Sequence, residues 1–335
     1  MSDAPGVAAP FGEAPSGPVQ RIALEGGGLR LGLLTWGATV QDLRLEGVPH
    51  PLVLGAETLA PYLGPFSNMG NLVGRFANRI GGARLEIDGR AHALDRNFRG
   101  RHILHGGAGG SGAQVWRIEG TTPASARLSL HMPDGHMGFP GALDVTAAFS
   151  LPGDGVMRIE MEARTDAPTP CSFAHHGYFT LDGEADARGQ RLRIDAEHVL
   201  EVDEDLVPTG RLLPVAGTRF DFRAARDLGP AGFDVNFCLR PGEGLREVAA
   251  LTGRTGVEMR LATDAPGLQL YDGAHLPPEP GLAGRRYGPH AGVALEAQSW
   301  PDAPSHPHFP NSILRPGQVW RRVVEHRFSA PTRIG

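Results

Sequence analysis

The sequence predicts an all-β protein, a large antiparallel β-sandwich with few short helices. Short apolar or alternating runs recur along the chain, each closed by Gly, Pro, Asp or Asn. The 47 Gly and 29 Pro of the 335 residues follow no fixed period and fall between those runs, where tight turns belong. Helical periodicity is scarce, and the strand–helix alternation of a parallel α/β sheet is missing.

Residues 1–18, MSDAPGVAAPFGEAPSGP, are rich in Pro, Ala and Gly and are expected to form a loose tail. They lack the basic and apolar regions of a secretory leader. Residues 21–26, 29–38 and 39–47 then read as three strands, and 56–63 as one short turn or helix interrupted by Pro61. Asp88-Gly89 in LEIDGRAHAL is a strong hairpin signal. Further strands are expected over 126–132, 143–151, 156–165, 191–202 and 268–273.

Composition excludes several function classes. A net charge of −5 does not suit a nucleic-acid partner, which would demand a basic face. Cys171 and Cys238 make neither a disulfide framework nor a CxxC pair and read as buried free thiols. No run approaches the length of a membrane span, so a membrane partner is not expected, and the expected compartment is the cytoplasm.

Chemistry-bearing residues concentrate in a few segments. In AGVALEAQSW, strand alternation sends Val293 and Leu295 one way and Ala294, Glu296 and Gln298 the other. An ionised carboxylate in so apolar a run is costly to bury without a partner, so Glu296 is either half-exposed or an active-site group. In AHHGYFTL, His176, Tyr178 and Thr180 share a face; taken alone, such a His is more often structural than catalytic. Gln269 and Tyr271 share a face of LQLYDG, a pairing of hydrogen-bonding and aromatic groups that suits a sugar. GRFANRIGG gathers Arg75, Asn78 and Arg79, and His105 precedes a Gly run. The His102/His105 and His306/His308 pairs lack the surroundings of a zinc site, so no metal is expected. The Gly run lacks the ending of a phosphate loop, and no nucleophile elbow is present.

These segments, in order and over nearly the whole chain, resemble the aldose 1-epimerase family. NLVGRFANRIGGARLEIDGRAHAL is similar to its "GRxANRI" block and following hairpin, and HILHGG to its "LHGG". TPCSFAHHGYFTLDG resembles "TPxNLxxHxYFNLxG", and GVALEAQSWPDAPSHPHFP resembles "ALExQxxPDAxNHPxFP". The resemblance implies a galactose mutarotase-like supersandwich, a single catalytic domain over 19–330, and interconversion of the α and β anomers of a free aldose. It implies no cofactor and no catalytic metal. Glu296 falls on the family's general base and His176 on its general acid. Arg79 and His105 fall on residues contacting the sugar near the reacting centre, Asp234 and Gln269 on residues holding its hydroxyls, and Asn78 sits beside the arginine. The chain departs from the pattern at His175, Gly177, Thr180 and Val235 and in the GGSGAQVW stretch, so a galactose preference does not follow.

One acid and one base on opposite sides of the C1–O5 bond suffice for this reaction, each typically giving about 10²–10⁴-fold. The expected partner is a small free sugar, and the expected assembly a monomer or homodimer. The alternatives are a non-catalytic sugar-binding module on the same fold, an epimerase of a modified or phosphorylated sugar, and a glycosidase or lyase pairing Asp234 with Glu296.

Overall fold

The computed structural model describes residues 4–230 and 232–331. Nine strands form one sheet in the order Arg117–Thr122, Ser125–Met132, Leu143–Gly153, Val156–Thr165, Trp320–Ser329, Glu258–Thr263, Arg246–Thr252, Arg191–Ile194 and Arg226–Asp227. Six form a second, in the order Tyr178–Phe179, Val293–Gln298, Gly267–Tyr271, Asp234–Leu239, Ala196–Val202 and Pro208–Pro214. A four-stranded sheet, Ala8–Ala14 to Thr39–Leu45, packs onto them. The pairings within these sheets are antiparallel. Among the described residues the helices are single 3₁₀ turns, and Ala60–Leu63, with Pro61 in its first turn, occupies the short turn expected over 56–63.

Alternation along the strands decides which side chains meet. Val293, Leu295 and Ala297, with Leu268 and Leu270 of the next strand, join the main apolar cluster. That cluster also takes Ile159, Met161 and Leu261 from the nine-stranded sheet and Leu31, Leu33 and Val40 from the four-stranded one. The other face of the six-stranded sheet carries Glu296 directly opposite Gln269, and Asp234 directly opposite Tyr271. The polar face of Val293–Gln298 is therefore not solvated: Glu296 is 2% exposed and Gln298 is fully buried. The hairpin at Asp88-Gly89 forms with φ of 51° and 76°, both positive as a two-residue type I′ turn requires.

The loose tail expected over 1–18 is corrected. Ala8–Ala14 pairs with Gly17–Gly26, and Phe11 packs against a second apolar cluster. Pro10 is tolerated because this is the sheet's edge and the ladder bulges between Pro10 and Gly12. Residues 1–3 of that stretch lie outside the described residues.

Candidate active site

Glu296 projects from Val293–Gln298, one of the inner strands of its sheet. His176 lies between the two-residue strands Ala174–His175 and Tyr178–Phe179, and the second of these pairs with the Glu296 strand. This brings His176 Nε2 to 3.5 Å from Glu296 Oε1, with both residues buried. Glu296 Oε2 has no hydrogen-bond partner in the protein, which leaves it available to a ligand. The His105 ring stands edge-on to His176 with centroids 5.2 Å apart.

Asn78 and His105 are coupled in both directions. The His105 amide donates to the Asn78 carbonyl at 2.9 Å, and the Asn78 amide donates to His105 Nδ1 at 3.1 Å. Both residues have positive φ, 67° and 53°, an uncommon backbone state that recurs at functional sites. Because Nδ1 accepts a hydrogen bond, neutral His105 must carry its own proton on Nε2. It is therefore a donor.

Arg79 is held by three neighbours. Its Nη2 lies 3.1 Å from Asp234 Oδ2, its Nη1 donates to Asn78 Oδ1 at 3.3 Å, and its guanidinium stands 4.7 Å over the Phe98 ring. Gln269 Nε2 donates to Asp234 Oδ1 at 2.6 Å, so both Asp234 oxygens are engaged. An aspartate so tied is poorly placed to act as a nucleophile alongside Glu296.

A cavity of about 300 Å³ is lined by Asn78, Arg79, His105, His176, Asp234 and Glu296. Six of the seven sequence-derived site residues thus converge on one space. Gln269 instead sits beneath it, supporting Asp234 and facing Glu296 across the strand pair. Tyr178 and Tyr271 also line this cavity, and sequence reasoning missed Asn68, Phe98, Arg99, Leu104, Leu206 and His275 in its walls. Tyr178 and Tyr271 were legible from alternation. The others come from loops, or for Leu104 from a two-residue strand, with no period to read.

Burial sets the proton affinities. It pushes the Glu296 carboxyl up to about 8, helped by the nearby Asp234 charge and opposed by Arg79. It pushes His176 down to about 4, against the opposing pull of its own backbone and Asp234. His105 lies well below the ordinary histidine range through burial, then through His176 and Arg79, and so is neutral.

Metal-ligand atoms of His105, His176 and Glu296 fall within 4.8 Å of one another. The donor set fits an ion poorly, because the Asn78 amide occupies the His105 Nδ1 lone pair and leaves a proton on Nε2. His102 of the H-x-x-H pair points elsewhere, taking the Gly82 amide on Nδ1 and facing Asp205 through Nε2. His308 contacts the Gly210 carbonyl and His306 faces Asp302, away from the cavity.

A sequence profile described as aldose 1-epimerase matches residues 20–327. The galactose mutarotase of Rattus norvegicus is 35% identical, the alignment covering 95% of this chain and 97% of that protein. The aldose 1-epimerase of Escherichia coli is 33% identical over the same shares of each chain. Among solved structures, an aldose epimerase homologue from C. elegans superposes with a TM-score of 0.87 at 27% identity, covering 93% of this chain and 99% of that one. The galactose 1-epimerase of Lactobacillus acidophilus superposes with a TM-score of 0.84 at 27% identity, covering 97% and 98%.

Proposed function

The chain belongs to the aldose 1-epimerase family and interconverts the α and β anomers of an aldose, and we propose that Glu296 and His176 carry the two proton transfers. Glu296 takes the proton of the anomeric hydroxyl while His176 gives one to the ring oxygen, and the C1–O5 bond opens. Rotation about C1–C2 presents the other carbonyl face, and reclosure returns both protons. The reaction takes one proton and gives one back, so the pair needs to hold one in total. Between about pH 4 and about pH 8 that single proton rests on Glu296, so the reaction draws on the tautomer in which it has crossed the 3.5 Å gap to His176.

His105 Nε2–H and Arg79 supply fixed donors for charge that develops on oxygen during opening. Asp234, with its orientation set by Arg79 and Gln269, is the acceptor for sugar hydroxyls, and Asn78 fixes the arginine fork. Gln269 acts through Asp234 rather than on the sugar. The observation that carries the reading is the 3.5 Å approach of His176 to Glu296 within one cavity. The setting we propose is a cytoplasmic enzyme, monomeric or homodimeric, with residues 19–330 as its catalytic unit. One apolar cluster running from Ile22 to Phe328 supports that unit. Among the described residues no helix is long and apolar enough to cross a membrane.

Glu296→Gln keeps the shape and removes the base. Polarimetry on freshly dissolved α-glucose or α-galactose is expected to show only spontaneous mutarotation, with the variant's melting temperature no lower than that of the parent. Near-parental rates in the variant would sink the assignment.

A further inference from the structure

We infer that the catalytic cavity continues into a second, apolar cavity that accepts an apolar substituent on the end of the sugar remote from its anomeric carbon. The inference rests on Glu296 and His176 being the reacting pair. A cavity of about 400 Å³ shares Leu206, Asp234, Tyr271 and His275 with the catalytic one. Glu296, His176 and His105 are absent from its walls, so it opens from the far side of the sugar site. With C1 at Glu296 and ring hydroxyls at Asp234, the groups that reach across this boundary are those on C4 or C6.

Its remaining walls decide the chemistry. Val199, Leu213, Phe220, Phe233 and Val235 line it, and the Phe220 and Phe233 rings meet edge-on at 6.3 Å. Apart from the exposed His275 imidazole, the polar side chains around it are engaged within the protein. Glu201 accepts from Thr209 and Arg211, and Asp272 accepts the amides of Phe233 and Ala274. Arg219 donates to the Gly232 carbonyl and lies over both phenylalanine rings. Asp234, at the boundary, is held by Arg79 and Gln269 for the ring hydroxyls of the sugar itself, and the Tyr271 hydroxyl accepts the His275 amide. A second sugar ring would bring several hydroxyls to walls with few free partners, and unmade hydrogen bonds are costly. An acyl, alkyl or aryl group makes no such demand, and its burial is favourable.

The test compares glucose, 4-O- and 6-O-benzylglucose and a reducing disaccharide, with anomer exchange followed by NMR. The KM of one benzyl ether is expected to fall about tenfold or more below that of glucose, the scale of burying a few apolar carbons. Leu213→Trp, which fills the cavity, is expected to abolish that advantage and leave glucose turnover unchanged. Phe220→Ala, which strips a wall, is the second variant should the first fail to fold. Equal KM values for glucose and both ethers, or an advantage untouched by both variants, would overturn the inference. So would a disaccharide favoured over the ethers, because the walls would then be serving hydroxyls. Loss of glucose turnover in the parent protein would count against the catalytic reading instead, and calorimetric binding of the ethers would still test the cavity.

Discussion

His175 and His176 are consecutive, equally buried, and both shifted below the ordinary histidine range with burial as the first cause. They face opposite sides of the chain. His176 meets Glu296 and His105 across the catalytic cavity. His175 packs against Phe179 and His326 with ring centroids 6.2 and 5.6 Å away, and neither of its ring nitrogens has a hydrogen-bond partner. A lowered histidine is therefore evidence of burial and nothing more. What separates the reactive residue from the structural one is an open volume and a carboxylate within reach.

The sharpest way to break that contrast is to remove each imidazole in turn. His176→Asn is expected to lower kcat by about 10²–10⁴-fold, the usual worth of a positioned proton donor. His175→Leu is expected to cost less than about tenfold, since the side chain contacts core and not the cavity. Polarimetry on one aldose gives both numbers. Equal losses in two variants with parental melting temperatures would show that His175 takes part in the reaction.

A smaller effect is expected from pH. Below about pH 4 a second proton enters the Glu296–His176 pair and no base remains; above about pH 8 the last proton leaves and no acid remains. The plot of kcat/KM, corrected for spontaneous mutarotation, should be level between those limits and fall outside both. A profile with a single limb would mean that one partner does not titrate as part of the pair.

The same contrast between polar and apolar surroundings explains what the sequence made legible. Alternation placed Glu296 and Gln298 opposite Val293 and Leu295; the structure puts Glu296 in the cavity wall, Gln298 against Asn236, and Val293 and Leu295 in the core. Motif order brought Arg79, His105, His176 and Asp234 to one cavity although up to 155 residues separate two that touch. The strand Trp320–Ser329 escaped notice despite lying in the middle of the nine-stranded sheet. Its inward face carries Arg322, Val324, His326 and Phe328, while Val323 points outward, so its hydrophobic pattern does not alternate. The Phe98, Leu206 and His275 walls were invisible because loops have no period and their convergence is purely tertiary.

His326 supplies the subtlest test of the comparison. It is wholly buried, stacks on Phe328 with an interplanar angle of 16°, and leaves both ring nitrogens without partners. Burial lowers it to about 3, so the folded state holds it neutral. The unfolded chain takes up its proton near pH 6.5. The stability tied to the neutral ring is therefore complete above pH 6.5 and lost as pH falls from there toward 3, by about 1.4 kcal/mol per pH unit. His105, His175 and His176 act in the same direction, as their lowering is also led by burial, so part of the acid sensitivity will survive any change at His326. His326→Leu replaces two unpartnered nitrogens by carbon and removes one proton from this linkage. Urea denaturation should show the variant losing about 2 kcal/mol less than the parent between pH 6.5 and pH 5. Glucose turnover at neutral pH should hardly move, because His326 does not line the cavity. Identical acid losses in the two proteins would mean that the folded state accommodates the charged ring, and the His175–His326 layer would then no longer serve as the inert counterpart of the catalytic pair.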